Sequence, residues 1–168
     1  MTRAVGLLLF VAAAPLQSPA TAQQTSPYVA AQRAESLRLA GRPWHAAETL
    51  LAAAAREPRL NATFVVEGAK AELYARRYDR ARSLLVGQPW LEDYADGAAL
   101  AVLAEAEGRL GLGAQAAAHY AAARARARGS RAALLAVREG LAWEAAGARD
   151  SAGSRHGARR GRISFAAA

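Results

Sequence analysis

Four alanines recur along this chain at a nearly fixed interval: Ala46, Ala81, Ala116 and Ala152 stand 35, 35 and 36 residues apart. Other positions keep step with them. Leu50, Leu85, Tyr120 and His156 follow four residues later, Gly41, Arg76, Gly111 and Gly147 precede by five, and Ala34, Ala69, Ala104 and Gly140 precede by twelve. Self-similarity at such a period marks stacked helix pairs, because a single pair cannot bury its own apolar face and leans on its neighbours. The pattern describes a scaffold that holds something, without naming what is held.

In tetratricopeptide repeats a small residue in the first helix lets the second pack closely, a glycine turns the chain, a small residue sits early in the second helix, and a large apolar one follows a turn later. Ala34, Gly41, Ala46, Leu50, Ala53 and Pro58 hold that order in the first unit. Ala104, Gly111, Ala116, Tyr120 and Ala123 hold it in the third, with Arg128 where the first unit has proline. The second keeps Ala69, Ala81 and Leu85 but has Arg76 at the turn and Gln88 at the later small position, and the fourth opens with Gly140, Trp143, Gly147 and Ala152. Over roughly residues 27 to 152 the chain resembles the tetratricopeptide repeat family. The resemblance implies an all-α fold, a right-handed α-solenoid of antiparallel helix pairs, about three and a half repeats long. It also implies a concave groove lined by first helices. The polar residues there are Arg33, Arg38, Glu67, Lys70, Glu72, Glu105 and Arg138, taken as a group.

The ends read differently. Residues 1–22 have the form of a secretory signal: Arg3 is the positive start, Val5 to Ala14 the apolar run, and Ala20-Thr21-Ala22 a small-x-small cleavage site before Gln23. A membrane span needs about 20 apolar residues, and this run is about half that, so no stable span is expected after cleavage. The chain has no cysteine, which removes disulfides, thiolate metal sites and a cysteine-borne lipid. Export places the mature chain in a bacterial periplasm or outside the cell. At the other end the repeat fails after Ala152, with His156 and Arg159 where large and small apolar residues belong. Gly153, Gly157 and Gly161 each weaken a helix by about 1 kcal/mol relative to alanine. Residues 153–168 are therefore either a disordered basic tail or an out-of-frame terminus, since another frame of a GC-rich gene yields arginine, glycine, alanine and serine.

Helical spacing predicts pairs over 27–40 and 43–56, 61–75 and 78–86, and 95–110 and 114–127, with a last helix from Ser130 to about Ala146 and a turn at Gly147. Pro27 and Pro43 suit first helical positions. Asn61 and Ser130 suit caps. Strand signals are absent, because β-branched residues are few and never alternate. The connector from Gly87 to Tyr94 carries Trp90, Tyr94 and a carboxylate cluster with Glu92, Asp93 and Asp96. The rings either form a sugar or peptide platform or fold back over the helix ends. The carboxylates lack the glycine-punctuated spacing of a calcium loop and are expected to favour the next helix N-terminus.

Charge narrows the partner. The formal net charge is +8, and removing Arg3 with Arg155, Arg159, Arg160 and Arg162 leaves a repeat body of +3. Nucleic acid would want a basic stripe on the folded face, so none is expected. Arg76, Arg77, Arg80 and Arg82 read as a solvated turn, and Arg124, Arg126 and Arg128 as cations offsetting a helix dipole, with anionic envelope polymers as the alternative contact. His45, His119 and His156 share no metal-ligand spacing. No serine sits in a nucleophile elbow, and no cofactor motif stands out. Glu35-Ser36 matches a lytic transglycosylase pair by residue type only.

Two expectations of function follow. One is an exported, non-enzymatic module that binds a protein or peptide partner in the cell envelope, including a peptidoglycan-associated one. The other is the N-terminal superhelical region of a protein similar to soluble lytic murein transglycosylases, without the lysozyme-like domain that cleaves peptidoglycan. In either case Leu134, Leu135, Leu141 and Trp143 lack a covering second helix, so self-association through that end is expected.

Overall fold

The computed structural model of the chain describes residues 26–164, with side chains described over residues 26–147. The expected leader, its cleavage site and the side chains of Ala152 and His156 lie outside these residues. Seven α-helices and no strand occur among the described residues: α1 (Pro27–Leu39), α2 (Pro43–Arg56), α3 (Asn61–Tyr74), α4 (Tyr78–Leu85), α5 (Ala98–Leu110), α6 (Gly113–Arg126) and α7 (Gly129–Ser164). Each helix packs on the next, and α3 also touches α5. Proline stands at the start of α1 and α2, where its missing N–H has no helical acceptor to lose. None of these helices is long and apolar enough to cross a membrane.

The turns show why the chain repeats. After α1, the Gly41 N–H donates to the Arg38 carbonyl (3.1 Å) and the Arg42 N–H to Leu37 (2.9 Å). After α3, Arg76 donates to Leu73 (3.0 Å) and Arg77 to Glu72 (2.9 Å), and after α5, Gly111 donates to Gly108 (3.1 Å) and Leu112 to Glu107 (2.8 Å). These pairs satisfy the last carbonyls of each helix, and they need one residue in the left-handed region. That residue is Gly41 (φ 71°), Arg76 (φ 59°) and Gly111 (φ 78°). The next helix then starts with the Ala46, Ala81 and Ala116 N–H groups bonded to Arg42, Arg77 and Leu112. All three alanines are at most 1% exposed, because a larger side chain there would hold the paired helices apart.

Several local expectations are corrected. Asn61 does not cap α3: it is the first helical residue, and its amide donates to the Ala54 carbonyl (3.4 Å), tying α3 to the end of α2. Ser130 lies inside α7, not at its cap. α5 begins at Ala98, not Ala95, because a short 3-10 turn over Tyr94–Gly97 holds Ala95 (φ 45°), Asp96 (φ 52°) and Gly97 (φ 79°) in left-handed conformations that no α-helix accepts. The connector carboxylates make no cap to α5; Glu92 instead pairs with Arg126 at the far end of α6 (2.6 Å). Gly147 is not a turn. Its φ is not left-handed, and α7 runs through it to Ser164, past the glycines where the apolar pattern lapses. Glycine weakens a helix without ending one, and the alanines and arginines around it are strong helix formers.

Two apolar clusters form the interior. The larger joins α1 to α5 around Ala47, Val66, Ala69, Leu85 and Leu103, and the smaller joins α5, α6 and α7 around Leu100, Ala104, Ala117, Tyr120 and Leu135. Leu91, from the connector, packs against both. Trp90 and Tyr94 fold back onto the larger cluster, with ring centroids 5.8 Å apart and planes tilted by 59°.

Candidate functional site: a cationic groove along the first helices

The same repeat that buries the alanines sets polar residues in line on α1, α3, α5 and α7. Three depressions run along these helices. The first is lined by Glu35 and Arg38 of α1 with Glu67, Lys70 and Tyr74 of α3. The second, a cleft of about 630 Å³, lies between α3, α5 and α7 and takes in Lys70, Tyr74, Glu105, Arg109, Arg131 and Arg138. The third carries Glu105, Arg109 and Arg138 on to Tyr120 and Leu141. Lys70 and Tyr74 belong to the first two and Glu105, Arg109 and Arg138 to the last two, so the depressions are continuous.

Of the residues expected there, Arg38, Glu67, Lys70, Glu105 and Arg138 share this groove. Arg33 does not: it lines a separate hollow with Thr49, Arg56 and Glu57 between α1 and α2. Glu72 does not either. It is fully buried, as is its counterpart Glu107, 35 residues on. Arg77 and Arg80 each bring Nε to 3.4 Å from the Glu72 carboxylate, near enough for attraction, but neither oxygen accepts a hydrogen bond. Glu107 is better served, with His119 Nδ1 at 2.6 Å from Oε2 and Arg82 Nε donating to Oε1 at 3.4 Å. Of the arginines read from the sequence as a solvated turn, Arg77, Arg80 and Arg82 thus cover buried carboxylates, and Arg76 does not.

The repeat-packing residues divide at α7. Ala34, Leu50, Ala53, Ala69, Leu85, Ala104, Tyr120 and Ala123 lie buried beside the three alanines, and Gly41 and Gly111 form turns. Gly140, Trp143 and Gly147 are exposed, and among the described residues no helix covers them. Sequence reasoning missed Tyr74, Tyr78, Arg109 and Arg131, and set Arg76 apart in the turn cluster rather than in the groove. Two of these carried a usable signal: Tyr74 and Arg109 stand one helical turn beyond Lys70 and Glu105, on the same face.

Electrostatics separate the groove's ends. At α1, Arg38 donates to both Glu35 oxygens (2.8 and 2.6 Å), which holds that carboxyl below its ordinary range, and its guanidinium lies 5.5 Å from the Tyr74 ring centroid. That end is neutralised. In the cleft, Lys70, Arg76, Arg109, Arg131 and Arg138 face Glu105. Glu67 holds Lys70 at 2.6 Å, and Glu105 is shared by Arg138 (3.4 Å) and Arg109 (3.9 Å). Setting these two carboxylates against five cations leaves three positive charges. Arg131 donates to the Ala95 carbonyl (3.1 Å), a neutral partner. Burial raises the Tyr120 hydroxyl above its ordinary value, with Arg138 partly opposing the shift.

Among the described residues no three His, Cys, Asp or Glu side chains gather as metal ligands. The chain matches no protein-family model, and neither the curated proteins nor the solved structures include a significant match to it.

Proposed function

We propose that this chain is a non-enzymatic binding module, a tetratricopeptide-like right-handed solenoid of about three and a half repeats that accepts a protein or peptide along its first-helix groove. The observation that carries this reading is the continuity of the three depressions, which share residues across four successive odd-numbered helices. The 35-residue recurrence of the turn hydrogen bonds at Gly41, Arg76 and Gly111 supports the repeat architecture. The leader-like N-terminus favours a place in the cell envelope, where peptidoglycan-associated proteins are among the partners. Panning a random peptide library against the mature chain tests the reading, beside a variant whose cleft is filled by Ala101→Trp and whose helicity is checked by circular dichroism. Peptides retained by the first and lost by the second are expected. A pool with no dependence on the cleft would remove the proposal.

A second reading keeps the groove but makes the chain the N-terminal superhelical part of a lytic transglycosylase-like protein. The uncovered Leu134, Val137, Leu141 and Trp143 on α7 favour it, since a following helix would cover such a surface. Genomic sequence beyond the Ala152 codon decides it: continued repeats and a lysozyme-like domain support it, and their absence removes it.

A further inference from the structure

The cleft and the α7 surface beside it differ in kind, and together they define the chemistry of what fits. Around the cleft, cations outnumber carboxylates, while Leu73, Ala98, Ala101 and Val102 add apolar lining beside Tyr74 and Tyr78. Arg76 stands out. It is exposed, its side chain has no hydrogen bond or ion pair among the described residues, and it holds a left-handed φ of 59° where both matching turns use glycine. A non-glycine residue kept in such a conformation is strained, and strain of that kind collects where ligands are held. Beside Arg131 and Arg138, α7 also presents an apolar surface to solvent. Leu134, Val137 and Leu141, at helical spacing on α7, are 53%, 61% and 60% exposed. They stand 36 residues beyond Ala98, Ala101 and Glu105 of the cleft, and Leu141 lines the third depression. Leu141 meets Arg138 and Glu105 where the third depression begins.

Building on the binding-module reading, we propose that the groove takes an acidic amphipathic peptide segment. Its carboxylates lie among Arg76, Arg109, Arg131 and Arg138, and its apolar side chains lie on Leu134, Val137 and Leu141. A phosphate or uronic polymer would satisfy the arginines but leave the leucines wet. An apolar helix would cover the leucines but leave the arginines unanswered. Only a chain carrying both kinds of side chain complements both surfaces.

Fluorescence anisotropy on the mature chain tests this with three probes: a labelled peptide of alternating glutamate and leucine pairs, the same peptide with lysine for glutamate, and sodium polyphosphate as competitor. The acidic peptide should bind, and raising salt from about 50 to about 500 mM should weaken it roughly tenfold through screening. Arg76→Gly should weaken it about fivefold while leaving the melting temperature unchanged or higher, an outcome that separates ligand contact from folding. Leu141→Ser should weaken it by a similar factor. The proposal falls if the lysine peptide binds as well, if Arg76→Gly binds normally, or if polyphosphate displaces the peptide with equal strength from wild type and Leu141→Ser. The panning experiment separates the two levels. A cleft-dependent pool rich in basic or neutral residues overturns this inference and leaves the module reading standing, whereas an empty pool overturns both.

Discussion

Position 76 carries an arginine in a backbone conformation that positions 41 and 111 give to glycine. A side chain in the left-handed region costs about 1 kcal/mol or somewhat more, and the matching turn hydrogen bonds show that Arg76 bears this cost for the same turn. Arg76→Gly is therefore expected to stabilise the fold by up to about 1 kcal/mol, raising the melting temperature by about 3 °C; a fall would mean that the Arg76 side chain holds the turn. The buried carboxylates make a paired case. Leu37 stands where the second and third units have Glu72 and Glu107. Glu72 accepts no hydrogen bond, so Glu72→Leu should be neutral or stabilising by about 1 kcal/mol, because a poorly paired buried charge is worth less than an apolar group. Glu107 has His119 at 2.6 Å, so Glu107→Leu should cost about 1 kcal/mol. Chemical denaturation of both variants checks the order, and the reverse order would refute it. Tyr120 sets an alkaline limit. Its hydroxyl ionises above the ordinary 10.0 because burial disfavours the phenolate, while the unfolded chain ionises near that value. The unfolded state thus releases this proton first, so the stabilisation is complete below pH 10 and is lost as pH climbs through the folded value. Melting temperatures from pH 9 to 12 should fall less steeply for Tyr120→Phe than for wild type.

At the scale of the helix, what was legible followed from local chemistry. Pro27 and Pro43 mark the starts of α1 and α2, and Arg56 ends α2 just before Glu57-Pro58. Periodicity gave α1 to α6, and the start of α7, within a few residues. Two features escaped it. The start of α5 was missed because Ala95 and Asp96 adopt left-handed backbones, a conformation that residue type does not announce. The run of α7 through Gly147 was missed because glycine signals a turn only when something requires positive φ, and nothing among the described residues does so at Gly147. Glycines also separate by environment. A Cβ at Gly113 would stand 2.8 Å from the Ala146 nitrogen and 2.9 Å from the Ala142 carbonyl oxygen, which lets the start of α6 lie against the α7 backbone. A Cβ at Gly108 would meet only the Ala116 methyl, at 3.8 Å. Gly113→Ala should cost about 2 kcal/mol by forcing the helices apart, and Gly108→Ala should gain about 0.5–1 kcal/mol of helix propensity. Equal effects in thermal melts would show that α6 and α7 are not in close register.

Across the whole molecule, the groove was legible in outline and not in detail. The repeat put polar residues on first helices, and five of the seven named ones share one surface. Glu72 was misplaced because only packing shows Arg77 and Arg80 closing over it. Arg131 was missed because its place depends on how α7 meets α5, and no local pattern sets that. The connector is a further case: its rings were legible as ambiguous, and the fold makes them structural. Leu91 beside them packs on both apolar clusters, which otherwise meet chiefly along α5. Cooperativity between two packed clusters rests on the contacts that couple them. Removing a half-buried leucine costs about 1–2 kcal/mol in contacts, and here the loss falls on the joint. Leu91→Ala is expected to let α6 and α7 unfold ahead of α1 to α4 in urea. With the exposed Trp44 and Trp143 replaced by Phe, Trp90 fluorescence reports the larger cluster while far-ultraviolet circular dichroism reports every helix. The two curves should coincide while Leu91 is present and separate once it is replaced, with a shallower circular dichroism transition in the Leu91→Ala variant. Coincident curves with an unchanged slope would place the coupling in the α5 backbone rather than in the connector.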